Sequence, residues 1–292
     1  MSTVSERLRT LQRQIGRAAD QPPALGLRNE LRRLMRRRER SSFVPLPAPA
    51  GVEIAPGLRL VEQCFPTDAL ALRSVRLPWG DPIDVDRQRL VCFDTETTGL
   101  AGGVGTKAFM IGTACWRDGT IVTRQLYLTA LAGEARMLDV FADTLPSDPV
   151  FVSYNGRSYD TPLLKGRYRL HRQLHPFEDR PHVDLLYPTR RAYRGVWENC
   201  RLQTIERNLL GIVRDDDLPG SEAPAAWLAF LRGQSSRNLA RVLDHNRQDV
   251  ITLTCLLDRL SGDVAAQDAH PPVSTAPERI LREVREQVPL SP

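Results

Sequence analysis

Residues 91–100 of this chain read Val-Cys-Phe-Asp-Thr-Glu-Thr-Thr-Gly-Leu. An apolar run of strand type leads directly into two carboxylates at alternate positions. Alternate residues of a strand point to one side of a sheet, so the spacing predicts Asp94 and Glu96 side by side. Two like charges at close range repel, and nothing in that arrangement favours stability. A hard divalent cation with oxygen ligands, Mg²⁺ or Mn²⁺, resolves the conflict. The alternative is a strand end whose acids are simply solvated. Beyond Glu96, Thr97-Thr98-Gly99-Leu100 forms a turn whose hydroxyls and amides can approach a ligand.

Two later segments carry related signals. Val150–Tyr154 is again an apolar strand ending in a polar turn, Asn155-Gly156, with Tyr159 and Asp160 opening the next helical stretch. Taken alone, Asp160 reads equally as a helix N-cap. In Leu243-Asp244-His245-Asn246-Arg247-Gln248-Asp249, His245 and Asp249 stand one helical turn apart on one face. That pair suits metal and proton chemistry, or a plain surface hydrogen bond.

The rest of the sequence bounds the class of protein. Its 292 residues are 41% hydrophobic and 26% charged, enough apolar material for one large core. The five cysteines, at 64, 92, 115, 200 and 255, form no CxxC pair, which argues against a zinc site or a disulfide framework. Cys92 and Cys115 sit in apolar runs and read as small buried hydrophobes. No run approaches the ~18 apolar residues of a membrane span. Positions 1–40 lack a signal-type apolar core, so a chain that starts near Met1 and works in the cytoplasm is expected. The net charge of +5 is uneven: residues 1–50 hold eleven Arg against four acids, or +7, and the remainder is −2. Residues 1–50 therefore read as a basic, partly helical arm ending in the proline-rich linker Ser41–Gly51. Such an arm suits contact with nucleic-acid phosphates or a protein, or else is a solvated tail. Residues 51–261 form the predicted folded domain, and 262–292 a peripheral tail.

Within that domain, strands are predicted at Leu58–Cys64, Arg73–Leu77, Arg89–Thr95, Ala108–Trp116, Ile121–Leu128, Val150–Tyr154 and Val183–Leu186. Asp118-Gly119 marks a hairpin. Helices fit Gly133–Leu145, Thr161–His171, Leu202–Leu210, Pro224–Arg232 and Arg237–Leu260. Strands followed by helix–strand alternation imply a mixed α/β sheet flanked by helices. Gly99–Lys107 lacks the Gly-Lys-Ser/Thr of a P-loop and reads as a flexible loop. Asp184 reads as a strand-end or capping acid, with a role behind the site as the alternative. Asp215-Asp216-Asp217 reads as a solvated turn. Tyr154, Tyr159 and Phe109 can stack on bases, with core packing as the default for each.

Taken together, Phe93–Leu100, Asn155-Gly156 with Asp160, and His245 with Asp249 resemble the DEDD-type 3′→5′ exonucleases of the ribonuclease H-like (DnaQ-like) superfamily. His182–Leu186, Cys200–Glu206 and His245–Asp249 resemble more narrowly its YprB-like branch, over roughly Leu58–Leu260. The resemblance implies a five-stranded ribonuclease H-like sheet, three strands antiparallel and two parallel. It implies two Mg²⁺ or Mn²⁺ ions on Asp94, Glu96, Asp160 and Asp249, with Asp94 bridging both. Glu96 and Asp249 would hold the nucleophile-side ion, and Asp160 the other. It implies hydrolysis of single-stranded DNA or RNA, with Thr97, Thr98, Gly99, Leu100, Asn155 and Tyr159 as substrate contacts. One feature departs from the pattern. In these exonucleases a His stands five positions, or a Tyr four, before the last Asp. Here His245 stands four before Asp249, turned by about 100° on the helix. His245 is therefore read as general base or water-orienting group, or as structural. A catalytically weak nucleic-acid-binding module is the alternative for the whole chain.

Overall fold

The computed structural model describes residues 50–66, 74–77, 83–99, 105–214 and 216–268. The basic arm through residue 49, Leu100, Asp215 and the C-terminal tail beyond Asp268 lie outside the described residues, while residues 262–268 of the expected tail continue the last helix.

The described residues hold nine strands: β1 (Val52–Ala55), β2 (Leu58–Pro66), β3 (Ser74–Leu77), β4 (Ile83–Asp86), β5 (Leu90–Thr97), β6 (Ala108–Arg117), β7 (Thr120–Leu128), β8 (Val150–Ser153) and β9 (His182–Asp184). The helices are α1 (Glu134–Asp143), α2 (Asp160–Leu170), α3 (Leu186–Tyr193), α4 (Leu202–Ile205), α5 (Ala223–Leu231) and α6 (Arg237–Asp268). Seven strands make one sheet in the order β1-β2-β7-β6-β5-β8-β9, and β3 pairs with β4 separately. The fold is a mixed α/β sheet flanked by helices, of ribonuclease H-like type.

The expected sheet had five strands, and the structure has seven. Strands β5, β6 and β7 form the antiparallel half, and β8 and β9 run parallel beside β5. The correction lies at the other edge, where β2 pairs antiparallel with β7 and β1 with β2. Strand β1 left little trace in the sequence because it is four residues long and mostly exposed. The β6–β7 turn is the expected hairpin, with Asp118 and Gly119 at φ +46° and +76°, the positive pair that a tight two-residue turn requires. Helix α3 was not expected, and its first residue, Leu186, ends the strand expected over Val183–Leu186. Pro188 sits in its first turn, where the missing N–H costs no hydrogen bond. The expected helix at 202–210 is split. Glu206–Leu210 is π-helical, and Gly211 ends it at φ +67°.

The alternation along β5 sorts the layers. Leu90 and Cys92 belong to the core cluster built with Val250, Ile251, Leu253 and Leu257 of α6. Phe93 faces the opposite layer, in an aromatic cluster with Phe151 and Phe177 at ring-centroid separations of 5.6 and 5.8 Å. Asp94 and Glu96 follow the parity of Leu90 and Cys92, so they emerge under α6. Thr95 follows Phe93, toward α2.

The seat of α6 depends on one glycine. Asp94 of β5 pairs with Gly112 of β6, and Gly112 with Gln125 of β7. Across this row lies the fully buried Asn246 of α6. A Cβ on Gly112 would sit 2.0 Å from Asn246 Oδ1 and 2.9 Å from Nδ2. Only a residue without a side chain lets the amide reach the sheet. Gly112→Ala is therefore expected to cost about 1–3 kcal/mol by overpacking. Urea denaturation checks this, and the cost should shrink in a Gly112→Ala/Asn246→Ala double variant, where the clash is gone.

Candidate functional site

Asn246 fixes the first carboxylate. Its Nδ2 donates to Asp94 Oδ2 at 2.9 Å, while its Oδ1 accepts from Gln125 Nε2 at 3.1 Å. Gln125 Nε2 also donates to the Leu243 carbonyl at 2.7 Å. Gln125 and Asn246 are buried and were not singled out from the sequence. The signal for Asn246 was present: it falls on the apolar stripe of α6 between Leu243 and Val250, where a polar residue needs a partner.

Glu96, 7% exposed, lies two residues along the same face of β5. From α6, His245 and Asp249 meet that face, with His245 Nε2 at 3.5 Å from Asp249 Oδ2. Asp160 comes from the other layer. The pairing of β5 with β8 ends at Cys92–Val152, and the first residue of α2 enters beside the unpaired end of β5. There the Thr95 hydroxyl donates to Asp160 Oδ1. Asp160 is the first residue of α2, with Tyr159 at the N-cap, and besides the Thr95 hydroxyl its carboxylate takes hydrogen bonds from the backbone of Asp160 itself and of Thr95. Gly156 admits it: a Cβ there would lie 2.6 Å from Ser153 Oγ and 3.0 Å from Asp160 Oδ2.

The loop between β8 and α2 is held by Asp184. Its Oδ1 accepts from the Asn155 amide at 2.7 Å and from the Leu186 amide at 3.1 Å, and its Oδ2 accepts from the Arg157 amide at 3.1 Å. Both readings of Asp184 thus hold in one group: it caps the start of α3 and shapes the loop before Asp160. Asn155 takes φ +67°, which asparagine tolerates well. Tyr159, beside Asp160, is 60% exposed. Tyr154 is packed inward and donates to the Cys200 carbonyl at 2.6 Å. The Thr97 hydroxyl donates to the Gly99 carbonyl at 3.0 Å. Thr98 Oγ1 accepts the Lys107 amide at 3.0 Å. Both threonines shape the turn.

A second finding corrects the reading of a solvated turn at Asp217, whereas Asp216 is exposed as expected. Asp217 Oδ1 lies 2.7 Å from His245 Nδ1. Arg214, 9% exposed, forks onto Glu206 at 2.5 and 2.6 Å and also bonds Asp249 Oδ1. Arg214 Nη1 is 3.2 Å from the same His245 Nδ1. A ring nitrogen has one site, and a carboxylate only accepts. The shorter contact therefore makes Nδ1 the donor to Asp217, with Arg214 as a neighbour.

The electrostatics follow from burial. Desolvation lifts the Asp94 carboxyl well above its usual range, and Asp249, Asp160 and Glu96 push the same way against the Asn246 hydrogen bond. Burial raises Glu96 to about 8, opposed by the charge of His245 and aided by Asp249 and Asp160. Burial raises Asp160 to about 6, against the Thr95 hydroxyl. For His245, burial works downward, but the hydrogen bond to Asp217 and the charges of Asp249 and Glu96 win and raise it to about 9. The five expected residues therefore share one electrostatic neighbourhood.

Among the described residues, no three His, Cys, Asp or Glu side chains close around an ion as they stand. The donor chemistry nonetheless fits a hard divalent cation: buried, mutually repelling carboxylates. Asn246, Thr95 and Arg214 each engage one oxygen of Asp94, Asp160 and Asp249, and the second oxygen of each takes part in none of these three bonds.

The family model described as the RNase_H superfamily matches residues 91–261. The chain belongs to that superfamily. Within it, the chain is similar to the YprB-like ribonuclease H-like proteins. It is 33% identical over 187 residues to the uncharacterized protein YprB of Bacillus subtilis (strain 168), covering 64% of this chain and 45% of YprB. It thus spans less than half of that relative's length. A solved structure also aligns, the family B DNA polymerase of the hyperthermophilic archaeon Pyrobaculum calidifontis. That alignment has a TM-score of 0.46 and 15% identity, covering 67% of this chain and 28% of the polymerase. Among the described residues, no helix is long and apolar enough to cross a membrane.

The raised acids make a prediction. Groups whose pKa is higher in the folded state contribute stability at low pH and lose it as pH rises through the folded value. Glu96, from about 4.5 to 8, and His245, from about 6.5 to 9, both act this way. In EDTA the melting temperature should fall as pH rises from about 5 to 9. Mn²⁺ should raise it at pH 8, and by more than at pH 5.5, since cations bind the ionised acids. Calorimetric scans across that pH range check both signs.

Proposed function

We propose that this chain is a divalent-metal-dependent 3′→5′ exonuclease acting on single-stranded DNA or RNA. The observation that carries the reading is the convergence of Asp94, Glu96, Asp249 and His245 on one face of β5, with Asp160 at the strand's end. Desolvated like charges destabilise a fold unless something needs them, and the ribonuclease H-like setting supplies the need. In this reading Asp94, Glu96, Asp249 and Asp160 would hold Mg²⁺ or Mn²⁺. Asp94 would be shared between two ions, Glu96 and Asp249 would serve the nucleophile-side ion, and Asp160 the other. Two such ions supply a water that deprotonates near neutral pH and a clamp on the charge of the displacement.

The chain's own groups do the rest. Asn246 keeps Asp94 aimed across the face. Thr95 and Gly156 keep Asp160 at the strand end. His245 presents Nε2 toward Asp249 and orients the attacking water. It takes up a proton only when the surrounding carboxylates are neutralised, because their field otherwise keeps the ring charged. Tyr159 offers a base a stacking surface. Thr97, Thr98, Gly99 and Asn155 shape the walls of the substrate path. The basic arm of residues 1–50 adds phosphate contacts, and the protein works in the cytoplasm.

One observation favours the alternative of a catalytically weak binding module: the Arg214 guanidinium already pairs with Asp249. Hydrolysis of 5′-labelled single-stranded DNA and RNA, with Mg²⁺, Mn²⁺ or EDTA, decides between them. The exonuclease reading expects a metal-dependent ladder shortening from the 3′ end. Asp94→Asn should slow it on the order of 100-fold or more, the equivalent of several kcal/mol of lost charge stabilisation. Tight binding of either strand with no cleavage in Mn²⁺ would establish the module.

A further inference from the structure

The loop Gly211–Pro219 follows the π-helical turn and belongs to none of the three acid-bearing segments. Two of its residues nevertheless reach the third. Arg214 holds a bidentate ion pair with Glu206, and the same Nη2 bonds Asp249 Oδ1. Glu206 is 1% exposed and also accepts the Thr252 hydroxyl of α6, so the fork stands on a fixed base. Three residues on, Asp217 accepts Gln203 Nε2 at 2.8 Å through Oδ2 and faces His245 Nδ1 at 2.7 Å through Oδ1. With Nδ1 engaged, the ring has Nε2 directed to Asp249.

Resting on the nuclease reading, we propose that Arg214 and Asp217 are positioning residues. Arg214 orients the Asp249 carboxylate toward a divalent cation, and Asp217 orients the His245 imidazole toward the attacking water.

Three physical points support this. A guanidinium anchored bidentately on a buried carboxylate has little freedom, so its remaining N–H fixes whatever it touches. A carboxylate on one imidazole nitrogen sets which nitrogen faces the site, and groups placed behind a metal's ligands govern how well those ligands bind. The third point is specific to this chain. With His245 four residues before Asp249, helix geometry alone does not aim the ring. A partner from outside the helix must do so, and Asp217 is the carboxylate in contact. The π-helical turn delivers this loop: Glu206 opens it and Gly211 closes it, and irregular turns of this kind gather at functional sites.

The test uses the full chain with Asp217→Ala, Asp217→Asn, Arg214→Lys and an Arg214→Met/Glu206→Gln pair that leaves no buried charge alone. Three readouts are taken. They are kcat and KM on a labelled single strand, the Mn²⁺-induced rise in Tm, and the His245 ring-proton NMR signal. Asp217→Ala should lower kcat about 10–100-fold with KM within about two-fold, by the orientation cost of a free ring. It should also lose the protected Nδ1 proton signal and keep the Mn²⁺-induced rise. Asp217→Asn should recover part of kcat, because its amide oxygen can still accept. The Arg214→Met/Glu206→Gln pair should at least halve the Mn²⁺-induced rise, with Arg214→Lys between it and wild type.

Unchanged kcat and an unchanged ring signal in Asp217→Ala would overturn the role of Asp217. An equal or larger Mn²⁺-induced rise in the Arg214 pair variant would overturn that of Arg214, a larger one marking it as the cation's competitor. Should the wild type cleave neither polymer, the nuclease reading fails by itself. The ring signal and the Mn²⁺-induced rise then still decide whether this loop orients His245 and Asp249.

Discussion

The site depends on one amide. Asn246 spans the gap between helix and sheet, giving Nδ2 to Asp94 and taking Gln125 Nε2 on Oδ1. Each bond is worth only about 1 kcal/mol net, but losing a partner strands a buried polar group at about 1–3 kcal/mol. The row Asp94–Gly112–Gln125 beneath it fixes the height of α6 above the sheet. That height also sets the reach of His245 and Asp249, which flank Asn246 on the same helix. A change at any member of the row shifts the others.

Two buried acid sites among the described residues have opposite outcomes. Glu134 is nearly fully buried, yet Arg167 grips both its oxygens at 2.6 and 2.7 Å and Lys107 adds a contact at 2.9 Å. Burial alone would raise its pKa, but the Arg167 and Lys107 bonds bring it down to about 2. That knot joins the start of β6 to α1 and α2, and its charge is settled. At Asp94 and Glu96 the same burial meets more carboxylates, and both acids are driven up. An acid that burial leaves unsettled is open to chemistry, whereas one clamped by two cations serves as a strut.

Periodicity made the sheet's centre and the Asp94–Glu96 pair legible, whereas Asp160 and Asp249 stood out only through the resemblance. Strands β5, β6, β7 and β8 are long or strongly apolar, and alternation put Asp94 and Glu96 on one face before any coordinates. The five-strand expectation came from the resemblance and left out β1 and β2, of which β1, four mostly exposed residues, leaves no pattern of its own. Helix α3 was hidden by the short apolar run Val183–Leu186, which reads as a strand. The residues behind the site were the harder part. Arg214 and Asp217 lie in a loop with no periodicity, amid a run of acids that looks solvated. Their meaning comes from a fold that carries them about 30 positions along the chain to His245 and Asp249. Asn246 was closer to legible, as a polar residue on a helix's apolar stripe.

The Arg214 fork has a consequence for the order of events in the life of the chain. Proteins whose acids meet only around an ion stay unfolded until the ion arrives. Here a guanidinium and an imidazolium already stand among the carboxylates as built-in counterions. The chain can therefore complete its fold in a metal-poor compartment, and an arriving cation meets a finished scaffold. In the proposed arrangement, loading leaves the guanidinium on one oxygen of Asp249 and offers the cation the other. Maturation and metallation are thereby separate steps, each with its own clock.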